Sequence, residues 1–112
     1  MKSYQLVAAN APLELVETET PEPQGTEVLV RVTACGVCHS DLHFWHGFYD
    51  LGDGTKMTLE DRNIALPFTM GHEPVGEVVA YGPDVETDVK IGETRLVFPW
   101  TGCGDCARCD EG

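Results

Sequence analysis

The chain has 112 residues, room for one domain, and 42% of them are apolar, enough for a core of ordinary density. Nineteen acidic against seven basic side chains give a net charge of −12, a field that repels phosphate backbones and anionic lipid surfaces and so argues against nucleic-acid and membrane partners. The apolar run Leu6-Val7-Ala8-Ala9 is too short for a signal-peptide core and no stretch approaches the ~20 apolar residues of a membrane span, so a cytoplasmic protein is expected.

Ser3 to Val7 reads as a weak strand, and Pro12 to Glu17, with Leu13 and Leu15 two apart, as a second. Pro21, Pro23 and Gly25 supply a turn. From Glu27 to Thr33 the valines Val28, Val30 and Val32 alternate onto one face, the pattern of a half-buried strand. After Gly36 the period changes. His39 to His46 predicts a short helix, and Gly47 suits the left-handed position just past its end. Residues 48–70 then read as a long irregular connection, with a turn at Gly52-Asp53-Gly54 and a capping-box pattern at Thr58-Leu59-Glu60-Asp61 for one helical turn before Pro67. β-Structure is predicted again at Gly76 to Tyr81 and Arg95 to Phe98, with turn chemistry at Gly82-Pro83-Asp84. Residues 101–112 are rich in cysteine and glycine and cannot hide much apolar surface. Many short strands with one small helix predict a mainly β, partly open barrel.

Five cysteines cannot all pair, and they fall in two clusters, Cys35/Cys38 and Cys103/Cys106/Cys109. In a reducing compartment such spacing points to metal before disulfide. Cys103, Cys106 and Cys109 can wrap their sulfurs around one ion, and three thiolates leave one vertex of a tetrahedral structural zinc site to a further ligand. An iron–sulfur site is the chemical rival, because ferredoxin-type runs begin with the same two gaps, but their step to a fourth Cys followed by Pro is missing. Free thiols in a surface loop are the plainest alternative, and thiols so close together would oxidise readily.

Cys38 opens the predicted helix, where a thiol is well placed to serve as a thiolate ligand. Far along the chain, Gly71-His72-Glu73 precedes a strand and offers an imidazole with typical zinc affinity. Neighbours in an extended segment point to opposite faces, so either the backbone bends at His72-Glu73 or Glu73 stands slightly back from the ion; the second is expected. Asp41 would orient a ligating histidine. Ser40 and His43, three apart on a helix, share a face and form a plausible proton relay, although a cap and a surface histidine are the ordinary readings of each. Cys35 is assigned to packing. His72-Glu73-Pro74-Val75-Gly76 lacks the second histidine of a zincin, and Gly52-Asp53-Gly54 is not a dinucleotide fingerprint.

Gly71-His72-Glu73 with Gly76, Gly82 and Val85, the run Cys38-His39-Ser40-Asp41-Leu42-His43 followed by Trp45-His46-Gly47, and the Cys103/Cys106/Cys109 triplet together resemble the zinc-dependent medium-chain alcohol dehydrogenases. The resemblance implies a GroES-like β-fold for this part, followed in the complete enzyme by a Rossmann domain that the 112 residues do not contain. It assigns Cys38 and His72 to a catalytic zinc with Glu73 beside it, and Cys103, Cys106 and Cys109 to a structural zinc. Ser40 and His43 become the proton relay, His39 meets the pyrophosphate of NAD(P), and Trp45 and Tyr49 fall near the substrate pocket. The implied partner is a small alcohol or aldehyde, and the complete enzyme is expected to be a homo-oligomer. The family's second catalytic cysteine and fourth structural cysteine have no counterpart here, and the stretch from Gly47 to Gly71 is longer than in compact microbial members. Residues 1–112 are therefore expected to be an incomplete catalytic domain, inactive alone. The competing function is a stand-alone metal-binding GroES-like module or an iron–sulfur electron carrier.

Overall fold

The computed structural model describes residues 1–100 and 102–111; Thr101 and Gly112, which bound the cysteine-rich segment, lie outside the described residues. Strands β1 (Lys2–Leu6), β2 (Glu14–Glu17) and β3 (Val28–Gly36) precede helix α1 (His39–His46). Then come β4 (Phe48–Gly52), β5 (Thr55–Thr58), β6 (Phe68–Thr69), β7 (Glu73–Tyr81), β8 (Thr94–Leu96) and a short α2 (Ala107–Glu111). They form three sheets, β2-β1-β6, β3-β7-β8 and the hairpin β4-β5. Every described pair is antiparallel and no closed barrel forms among the described residues, so the fold is mainly β and open, as expected.

The long pair β3/β7 positions the site. Its register runs from Val28 opposite Tyr81 to Gly36 opposite Glu73. Because β3 ends at the edge where β7 begins, Cys38 just after β3 and His72 just before β7 become neighbours across 34 residues of chain. Gly76 lies in the middle of β7, and a Cβ there would come within 2.3 Å of the Arg31 carbonyl oxygen, so only glycine permits this strand spacing. Among the described residues Leu6, Leu59 and Val78 are the buried apolar side chains, each contributing about 1.5–3 kcal/mol by leaving water.

Helix α1 forms where the sequence predicts it. Cys38 is its N-cap, with φ −120° and ψ 176°, and Gly47 ends it at φ 84°, donating its N–H to the His43 and Phe44 carbonyls.

Four expectations are corrected. Residues 48–70 are not one irregular connection, since β4 and β5 pair as a hairpin about the Gly52-Asp53-Gly54 turn. The capping box at Thr58/Asp61 is present, but it opens a turn with Arg62 N–H bonded to Leu59 O and Asn63 N–H to Glu60 O rather than a helix. Within β3, Val28 and Val32 remain 45% and 55% exposed, so alternation placed them on a shared face that the described chain does not bury. Cys35 is exposed rather than packed in a core, its sulfur lying against Gly71.

Candidate metal centre and substrate cavity

The start of α1 organises the first cluster. The Cys38 N–H donates to Asp41 Oδ2 at 2.9 Å while the Ser40 N–H donates to Cys38 Sγ at 3.3 Å, a reciprocal box that fixes the thiol at the helix mouth. Gly71 has φ +97° and His72 is a bend residue, so the chain turns before β7 rather than running straight into it. The bend, one of the two arrangements weighed from sequence, brings His72 and Glu73 to the same side of the chain. His72 Nε2 lies 3.3 Å from Cys38 Sγ. One ligand atom from each of Cys38, His72 and Glu73 falls within 4.8 Å of the other two. The Glu73 carboxylate folds over Gly36, where its Oε2 would be 2.0 Å from a Cβ.

The cluster has the chemistry of a zinc site. Zn–S and Zn–N bonds of ~2.3 and ~2.0 Å place a sulfur and a nitrogen ~3.6 Å apart in a tetrahedron, close to the separation found. Asp41 is 5% exposed, and its Oδ1 has no hydrogen-bond partner among the described residues. That oxygen faces His72 Nδ1 at 4.0 Å. A buried carboxylate oxygen without a donor is costly, and an imidazole N–H directed toward it is the arrangement that orients a metal-ligating histidine.

The second cluster is the cysteine segment. Cys106 and Cys109 sulfurs are 3.6 Å apart and those of Cys103 and Cys109 3.9 Å. These are far beyond a disulfide bond and bracket the ~3.8 Å edge of a tetrahedron with ~2.3 Å zinc–sulfur bonds. Helix α2, unforeseen in the sequence, carries Cys109 back over Gly102.

Beside the first cluster lies a cavity of about 320 Å³ with Ser40 and His72 in its wall. Tyr49 lines it as expected. Trp45 is not among its described lining residues: its indole N–H donates to the Ala11 carbonyl at 2.8 Å, and Phe44 supplies the aromatic wall instead. Arg62, Phe68 and Trp100 also line it and carry no motif that would have marked them. His39 Nδ1 and His43 Nε2 are 3.1 Å apart, and the His43 ring packs on Tyr49 with centroids 4.7 Å apart. The described hydrogen bonds thus join His43 to His39, one turn back, and include none between His43 and Ser40.

An open, mainly β domain thus brings a thiol, an imidazole and a carboxylate that could hold one metal ion beside a cavity lined in part by aromatic side chains. Residues 24–112 match the alcohol dehydrogenase GroES-like domain, and the chain belongs to that family. Over 112 residues it is 39% identical to an NAD-dependent alcohol dehydrogenase of Saccharolobus solfataricus, covering 100% of this chain and 31% of that enzyme. The crystal structure of the alcohol dehydrogenase from Aeropyrum pernix superposes with a TM-score of 0.82 at 32% identity, covering 100% of this chain and 30% of that one. An alcohol dehydrogenase zinc-binding domain protein from Burkholderia ambifaria gives 0.73 at 33% identity, covering 98% and 26%. The chain thus spans about a third of the length of the relatives it matches. No described helix is long and apolar enough to cross a membrane.

Proposed function

We propose that residues 1–112 are the N-terminal zinc-binding part, an incomplete catalytic domain, of an NAD(P)-dependent alcohol dehydrogenase, which oxidises an alcohol to an aldehyde or ketone by zinc-assisted hydride transfer. The reading is carried by the convergence of Cys38, His72 and Glu73 within 4.8 Å, at the edge of a cavity that shares His72. Family membership and the NAD-dependent relative support the oxidoreductase class.

Cys38 and His72 would hold the catalytic Zn²⁺ with Glu73 beside it, and Cys103, Cys106 and Cys109 the structural one. The chemistry a catalytic ion supplies is Lewis-acid polarisation of an alcohol oxygen, which acidifies the hydroxyl. Asp41 keeps the His72 ring oriented through Nδ1. In this reading the Ser40 hydroxyl, in the cavity wall, would take the alcohol proton, and the His43–His39 contact supports an onward path toward exposed His39 once Ser40 and His43 are bridged. His39 is also the residue that would meet the cofactor pyrophosphate. Five unbridged cysteines suit a reducing cytoplasm.

Cobalt titration of the chain tests the assignment. Two equivalents with thiolate-to-metal absorption are expected, and Cys38→Ser should remove one while leaving the other. A single equivalent untouched by Cys38→Ser would refute the catalytic site, and bound iron with its own visible spectrum would favour the electron-carrier reading.

A further inference from the structure

Aromatic side chains form much of the cavity wall, and one lining residue carries a permanent charge. Arg62 is the formally charged side chain among its described lining residues, against Phe44, Tyr49, Phe68 and Trp100. The turn that delivers it is fixed at several points. Leu59 is buried, its N–H donates to the Gly47 carbonyl at 3.2 Å, and its own carbonyl accepts from Arg62 N–H and Ile64 N–H at 3.1 and 2.9 Å.

The guanidinium is fixed as well. Its carbon sits 4.8 Å from the Tyr49 ring centroid and 5.8 Å from that of Phe44. Stacking on a ring face restrains the group but leaves its in-plane N–H donors available. Among the described residues the Arg62 side chain takes part in no ion pair and no hydrogen bond. The nearest acid in sequence, Asp61, already accepts from the Thr58 N–H and hydroxyl, both at 2.8 Å. A restrained guanidinium with free donors beside an apolar wall is a receptor for a planar anion.

We propose that Arg62 makes this cavity selective for alcohols or aldehydes that carry a carboxylate on an aromatic or similarly flat apolar body. The inference rests on the reading of the cavity as the substrate site. One end of such a molecule lies at Ser40 and His72, the body against the aromatic rings, and the carboxylate at the Arg62 fork. The chain's net charge of −12 does not oppose this strongly, since exposed charges beyond ~8 Å are largely screened at physiological salt while a direct guanidinium–carboxylate contact is not.

The test is an NMR titration of the zinc-loaded chain with 4-(hydroxymethyl)benzoate and with benzyl alcohol, which differ only in the carboxylate. The wild-type chain should bind the carboxylate about tenfold or more tightly than the neutral alcohol. Arg62→Gln should bring that ratio near one without changing benzyl alcohol affinity, and Arg62→Lys should restore part of it. A ratio near one in the wild type, a ratio that survives Arg62→Gln, or no binding of either compound overturns the proposal. Cobalt spectra separate the two readings: a Cys38-dependent band with no carboxylate preference removes this inference alone. The preference without that band leaves it standing and removes the zinc assignment.

Discussion

Asp41 Oδ1 and His72 Nδ1 face one another at 4.0 Å, one belonging to a buried carboxylate whose Oδ1 accepts no hydrogen bond among the described residues and the other to a ring whose far nitrogen meets Cys38. The carboxylate does two things at once, since its Oδ2 already accepts the Cys38 N–H.

Asp41→Asn should therefore weaken metal at the Cys38/His72 cluster by roughly 10–100-fold, the usual cost of losing a group that orients a ligating histidine. Competition against a chelator measures it. Metal at Cys103, Cys106 and Cys109 should be retained with unchanged affinity.

Gly36 and Gly76 are predicted to separate fold from site. In Gly76→Ala the new Cβ meets backbone, 2.3 Å from Arg31 O, so β3 and β7 must part. A loss of about 1–3 kcal/mol in denaturant unfolding is expected. In Gly36→Ala the closest obstacle is the flexible end of Glu73, which can swing aside, and the Glu73 Cβ at 3.0 Å has to give by only a few tenths of an ångström. Stability should change little while the first cluster loses its carboxylate, read as weaker chelator-competed metal binding.

Cys109→Ser removes the sulfur within 4 Å of both Cys103 and Cys106. One metal equivalent should vanish, and protease cleavage should appear within 102–111 while the rest of the chain resists. An unchanged metal count would exclude the triplet as a site.

The Thr58 backbone N–H, followed by the Thr58 hydroxyl, holds the Asp61 carboxyl below its ordinary value of 3.8. A depressed folded value means the native state binds its proton later than the unfolded chain. The contribution is thus present above pH 3.8 and is lost as pH falls through the folded value. Because Asp61 is exposed, the effect belongs to the turn rather than to global stability. An NMR titration should find its midpoint below 3.8 and, in Thr58→Ala, closer to it without full return, since the backbone donor remains.

The elements with one dominant local cause were legible in the sequence. Helix α1 carries its cap at Cys38 and its stop at Gly47, and β3 announces itself through alternating valines. The meeting of Cys38, His72 and Glu73 was anticipated from their metal-binding chemistry and from the family resemblance, and the fold brings their ligand atoms within 4.8 Å of one another. The β4-β5 hairpin was not. Phe48-Tyr49-Asp50-Leu51 lacks alternation, and its cross-strand support, Lys56 Nζ 3.9 Å from the Phe48 ring centroid, is a contact between opposite strands. Arg62 was invisible for the same reason, since only the anchored turn after the hairpin carries it to the cavity. The bend at His72 was weighed but not favoured, because a period-two argument was extended one residue beyond the start of β7.

The separation of 34 positions between Cys38 and His72 has a mechanical consequence. A shared ion would staple this span shut, removing about 4 kcal/mol of loop freedom from the denatured chain by simple chain statistics. With three buried apolar side chains among the described residues, two of them fully buried, that staple is comparable to what this small interior contributes. Stripping the ion should therefore soften the hairpin, the anchored turn and the mouth of α1 together, because all three lie inside the stapled span.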